Sequence, residues 1–86
     1  MFVAYDARMT TITWRPPDDP EAKRSQLPNT AFAFPKERKE PLTDAAHVRS
    51  AIARFNQVDG VTEYERRQAL ANISAAAKYF GVFFEH

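Results

Sequence analysis

A threonine at position 62, a glutamate three residues later and a glycine at 81 bracket one helix and constrain everything packed against it. Thr62-Glu63-Tyr64-Glu65 matches a capping box. The threonine hydroxyl takes one free N–H of the first turn, and the Glu65 carboxylate reaches back to the Thr62 N–H. Leu70, Ile73, Ala77 and Phe80 then recur at spacings of three, four and three, one face of a helix. Ala69, Ala75 and Ala76 keep that helix slim enough for a neighbour to approach closely. Gly81 accepts the positive φ of a helix stop, and Val82 can fold back on Ala77. The spacing predicts a helix over 63–80.

A second helix is predicted just before it, over 44–57. Thr43 or Asp44 caps its first turn. Val48, Ile52 and Phe55 recur at spacings of four and three, with Ala45 and Ala51 beside them. Asn56 to Gly60 ends the helix. A connection of about five residues forces the two helices together as an antiparallel pair.

Upstream, Ala31-Phe32-Ala33-Phe34 alternates small and aromatic residues with the period of a strand. Leu27 to Thr30 reads as a turn before it, and Pro35 to Lys39 as a polar turn after it. Glu40-Pro41-Leu42 can run back alongside, with Pro41 restricting that return to an edge. Two short strands are marginal alone, so the aromatic face must lean on the helices. The fold class is therefore α+β. A short β-hairpin, or an extended aromatic segment, packs on a C-terminal antiparallel two-helix unit within residues 27–86.

Residues 1–26 are expected to be a partly ordered arm. Phe2 to Tyr5 and Thr11 to Trp14 favour extended backbone and can pair as a hairpin. Pro16-Pro17 stops them. Asp19-Pro20-Glu21 has the grammar of a helix start, but the following residues are polar apart from Ala22, so one or two turns are expected. Met9 offers a second start, which would make residues 1–8 an extension.

The chain has 86 residues, enough for one core. At that length folding buries only ~60–65% of the unfolded surface, so partners or self-association would add useful stability. There are no cysteines, which excludes disulfides and thiolate metal sites and suits the cytosol. No apolar run reaches the ~18 residues of a membrane span. Twelve basic and eleven acidic side chains are interspersed, for a formal charge of +1, without the basic excess usual in nucleic-acid binders.

Candidate chemistry is sparse. His47 lies one turn after Asp44 and close to Arg49, so a carboxylate–imidazole pair could orient a general base. The commoner reading is that Asp44 caps the helix while His47 packs on the aromatic strand. A nucleophile is missing, because Ser50 and Ser74 lie mid-helix. Two histidines are too few for a metal site, and no cofactor is expected. Glu63 and Glu65 are two apart on a helix and do not face each other. Both glycines serve as helix stops, which leaves none for a phosphate loop. Lys36, Arg38 and Lys39 at the hairpin tip, with Arg49 and Arg54, can make a basic patch for nucleic acid, with Phe34 or Tyr79 available for stacking. Glu37 and Glu40 dilute it. Trp14, Ile12, Phe83 and Phe84 lie outside the best-defined core and can either cover it or dock another chain.

The order Leu27-Pro28, Ala31-Phe32-Ala33, then Pro41-Leu42, Asp44, His47-Val48-Arg49, Ala51, Ala53-Arg54-Phe55 and Gln57, closing with Ala76-Ala77-Lys78-Tyr79 and Gly81-Val82, resembles a small uncharacterised domain family. That family occurs in actinobacterial open reading frames and in tailed-phage and prophage products, sometimes joined to head-maturation or structural proteins. The resemblance covers about residues 27–82 and implies a domain without an assigned activity. It also implies a phage-associated setting.

Together these readings give a non-enzymatic interaction or assembly module, cytoplasmic or virion-associated, with a protein partner or a second copy. The candidate surface comprises Trp14, Phe34, Lys36, Arg38, Lys39, His47, Arg49, Arg54, Phe83 and Phe84. The alternative is a small nucleic-acid-binding protein using Lys36, Arg38, Lys39, Arg49 and Arg54.

Overall fold

The computed structural model describes residues 11–84. A two-stranded antiparallel sheet is followed by two helices, an α+β fold. Strand β1 is Phe32–Phe34 and β2 is Lys39–Pro41, in a register that pairs Phe32 with Pro41 and Phe34 with Lys39. Helix α1 is Ala45–Arg54, helix α2 is Glu63–Phe80, and both strands and α1 pack directly or in turn against α2.

The helix ends follow their caps. Asp44 Oδ1 accepts from the His47 N–H at 2.8 Å. In the capping box Glu65 N–H donates to Thr62 Oγ1 at 3.0 Å, and Thr62 N–H donates to Glu65 Oε1 at 2.8 Å. Gly81 adopts φ 73° and the Val82 N–H returns to the Ala77 carbonyl at 2.8 Å, closing α2 as expected. Helix α1 is shorter than the predicted 44–57, because Phe55–Gln57 tightens into a 3-10 turn. Arg66 explains how that end is held. Its guanidinium donates from Nη1 to the Phe55 carbonyl (3.2 Å) and from Nη2 to the Val58 carbonyl (2.6 Å). Carbonyls left over at the end of α1 are thus satisfied by a cation from α2.

The main core joins Trp14, Ala33, Phe34, Leu42, Val48, Ala51, Val58, Ala69, Ile73, Ala76 and Ala77. Of the apolar side chains spaced along the two predicted helices, Val48, Ile73 and Ala77 are buried, and Ile52, Phe55 and Phe80 pack at the margin. Leu70 is half-buried and stands outside that cluster. The buried stripe of α2 is Ala69, Asn72, Ile73, Ala76 and Ala77, turned by about one position from the predicted one. Its small residues meet another small residue, Ala33 of β1, and so the strand can lie close to the helix.

Phe34 stacks on Phe55, with centroids 6.3 Å apart. Phe32 does not share that environment. It forms a second cluster with Leu27, Ala31 and Ala22.

The first strand of the expected N-terminal hairpin lies outside the described residues. Thr11–Trp14 is not a strand, and the amides of Thr13 and Trp14 go to a side chain, as described below. The predicted helix start at Pro20 gives a turn, with Asp19 Oδ1 accepting from the Glu21 N–H at 3.1 Å. Helical backbone follows only as 3-10 turns at Arg24–Gln26 and Asn29–Ala31. Among the described residues no helix is long and apolar enough to cross a membrane.

Candidate functional site

The arm preceding the sheet converges on one amide. Asn72, in the middle of α2, is completely buried. Its Oδ1 accepts from the N–H of Thr13 (2.9 Å) and of Trp14 (3.0 Å). Its Nδ2 donates to Thr13 Oγ1 and to the Ala33 carbonyl, both at 2.9 Å. Two acceptor sites and two donor sites are all used, which is the full capacity of a carboxamide. Helix, strand and arm therefore meet on one side chain. The Arg15 N–H continues the seam to the Thr30 carbonyl at 3.0 Å.

Trp14 is consequently part of the core. It is 7% exposed, and its indole N–H donates to the Leu42 carbonyl at 3.0 Å. Its ring meets the edges of Tyr79 and Phe80 at 5.6 and 5.9 Å. Phe34, at 1% exposure, is likewise interior. These two candidates for a contact surface are covered, because each fills the space between α2 and the sheet. Phe84 is half-buried against the main core. Phe83 is 85% exposed, and Tyr79 and Ile12 turn most of their surface outward.

The basic candidates have different surroundings. Lys36 Nζ lies 3.7 Å from Glu65 Oε2. Arg38 has left-handed backbone (φ 55°) and its guanidinium sits 4.7 Å from the centre of the Phe32 ring. Arg38 also donates to Asn29 Oδ1 and to the Arg24 carbonyl. Lys39 and Arg54 line a shallow depression of about 290 Å³ together with Glu40 and Asp59. Arg49 is exposed on α1. Another depression, of about 230 Å³, is lined by Phe34, Glu37, Tyr64 and Glu65. The first lies at the lower edge of the ~300–1,000 Å³ common for small-molecule sites and the second below it.

At the start of α1, His47 Nδ1 lies 2.8 Å from Asp44 Oδ1 and 3.3 Å from Thr43 Oγ1. Both partners address the same ring nitrogen. The His47 side chain is about half exposed. Hydrogen bonds from the His47 N–H and then the His47 ring hold the Asp44 carboxyl below its ordinary value, and burial opposes them only weakly. The Glu65 carboxyl is lowered too, mainly by the Thr62 N–H, with Glu37 and Lys36 adding to it. Among the described residues no group of three or more His, Asp or Glu is placed to hold a metal ion.

Three contributors escaped the sequence reading. Asn72 was masked by the larger apolar side chains around it, Arg66 by the acidic residues beside it, and Arg24 by the polar run it belongs to. The only local signal was a polar residue, Asn72, falling between Ala69 and Ile73 on an otherwise small, apolar face.

A family model, the family of unknown function DUF6582, matches residues 9–86. No curated protein and no solved structure matches the chain. The chain belongs to the DUF6582 family, and the match takes in the Trp14 arm as well as the sheet and helices.

Proposed function

We propose that this DUF6582 chain is a non-enzymatic protein-interaction or assembly module. The observation that carries the reading is the exposure of Ile12 (54%), Tyr79 (62%) and Phe83 (85%), in a domain that buries Trp14, Phe32 and Phe34. Ile12 and Tyr79 flank the seam between the arm and α2, and Phe83 follows the helix stop. Exposed apolar surface gains from contact with another chain where such side chains group into a patch.

Light scattering over a concentration series, combined with capture from host lysate, tests this. The expected result is a larger assembly or a retained protein, lost when Tyr79 and Phe83 are both changed to Ser. A strict monomer that retains nothing beyond what the double variant retains would overturn it. The finer form of the proposal places the module in a phage or prophage setting, cytoplasmic or in the virion. The resemblance of residues 27–82 supports that form, and mass spectrometry of purified particles tests it.

The second reading is nucleic-acid binding through Lys36, Arg38, Lys39, Arg49 and Arg54. Its support is the exposure of Arg49 and the shared depression of Lys39 and Arg54. Salt separates the two. Phosphate contacts weaken steeply with ionic strength, whereas apolar contacts hardly respond.

A further inference from the structure

The guanidinium groups of Arg24 and Arg38 lie over the same phenylalanine. Their central carbons are 5.6 and 4.7 Å from the Phe32 ring centre, and Phe32 itself is completely buried. The two residues also clasp each other's backbone. Arg24 Nη2 donates to the Arg38 carbonyl at 2.8 Å, and Arg38 Nη2 donates to the Arg24 carbonyl at 2.9 Å. Arg38 Nη1 adds a bond of 2.6 Å to Asn29 Oδ1.

This clasp ties the hairpin loop to the 3-10 turn at Arg24–Gln26, and that is a sufficient structural role for the hydrogen bonds. It does not account for the charge. Two permanent cations are held at one ring, and among the described residues neither is ion-paired with a carboxylate. All the acceptors they use are neutral. Each guanidinium carries five N–H groups, so most of their donors remain unspent. Like charges held together repel, and an isolated structural clasp would be better served by one arginine and one neutral donor. Arg38 also takes up left-handed backbone, a conformation that a long side chain adopts at a cost.

We propose that Arg24 and Arg38 form a preorganised site for a doubly charged oxyanion, a phosphomonoester group carried by a protein partner. The inference rests on the interaction-module reading and gives that partner a chemistry. A phosphomonoester brings about two negative charges and three acceptor oxygens, which matches two planar donor forks. Because stacking and backbone bonds already fix both forks, little side-chain freedom is lost on binding. A nucleic-acid phosphodiester fits less well. It brings one charge per phosphate, and the aromatic ring at the site is buried and offers no face on which a base could stack.

The test is a titration of the full chain, labelled with ¹⁵N, that follows the arginine Nε–H resonances. Inorganic phosphate, O-phosphoserine and a single-stranded oligonucleotide are added separately, each against sodium chloride at matched ionic strength. The expected result is a saturable shift of both Arg24 and Arg38 with phosphate and phosphoserine that chloride does not reproduce. Arg24→Gln, at an exposed position, should weaken it about tenfold or more while the amide spectrum of α2 stays in place. Arg24→Lys, which keeps the charge but not the fork, should recover only part of the loss. Shifts equal to those in chloride would overturn the proposal, as would a response from only one of the two arginines. Tighter binding of the oligonucleotide than of phosphoserine would also overturn it, in favour of the nucleic-acid reading. The readout is local to the two arginines, so it does not depend on whether Tyr79 and Phe83 bind anything.

Discussion

Two side-chain clusters use the same kinds of hydrogen bond and should differ widely in what they contribute. At Asn72 a neutral amide meets two backbone N–H groups, a carbonyl and a hydroxyl inside the core. At Asp44 and His47 a carboxylate meets one backbone N–H and an imidazole at the surface. The second pair has the more reactive chemistry and draws the eye in a sequence. The first holds three parts of the fold together. Burial makes the difference, because water can replace the partners at Asp44 but is excluded from Asn72 itself and from its bonds to Trp14 and Ala33.

The largest effect should follow from Asn72→Ala. It leaves the N–H groups of Thr13 and Trp14 and the Ala33 carbonyl buried without partners, at about 1–3 kcal/mol for each group that stays dry. A total loss of about 3–4 kcal/mol is expected from urea unfolding, together with a red shift of Trp14 fluorescence as the arm lifts. A loss below about 1 kcal/mol would erase the contrast between the two clusters. Arg66→Ala comes next. It strips charged donors from the Phe55 and Val58 carbonyls in a half-buried setting, and about 1.5–2 kcal/mol should be lost. His47→Ala should change the unfolding free energy by no more than about 0.5 kcal/mol, as for other exposed positions. A larger loss would move the Asp44–His47 pair into the structural class.

The smallest effect is on pH dependence. Hydrogen bonds from the folded backbone lower the Asp44 and Glu65 carboxyls from ordinary values of 3.8 and 4.5. A depressed folded value means that the contribution is present above the ordinary value and is lost as pH falls through the folded one. Their contribution should therefore be present above about 4.5 and be lost progressively as pH falls below that. Asp44→Ala should flatten part of that acid limb, as measured by thermal unfolding at a series of pH values.

Helix α2 shows what a sequence can and cannot reveal. Thr62, Glu65 and Gly81 act through the backbone next to them, so their roles were legible letter by letter, and both ends of α2 were placed from them. Which face of α2 turns inward depends on residues far away. Apolar spacing weighted Leu70, yet the packed face runs through Ala69, Asn72 and Ala76, because Ala33 approaches there and Trp14 needs the space beyond. The Asn72 bonds span separations of 39 to 59 residues, and no local pattern encodes such a distance. The same holds for the candidate surface. The position of Phe83 and Phe84 after a helix stop leaves open whether they cover the core, and in the fold Phe83 is exposed while Phe84 is half-buried. Chain neighbours leave open whether Trp14 covers the core or docks a partner, and the aromatic strand puts Phe34 against the helices; neighbours in space bury both and remove them from the candidate surface. Arg38 was counted with the free cations of a polar turn, although Phe32 and the Arg24 carbonyl claim it.

Amide hydrogen exchange at Thr13 and Trp14 tests the docking of the arm most directly. With Asn72 Oδ1 as their common acceptor, both amides should exchange only when the domain unfolds globally, as slowly as Ile73 and Ala76 in the middle of α2. Exchange at the rate of an unstructured peptide, while α2 remains protected, would show that the arm is not held by Asn72.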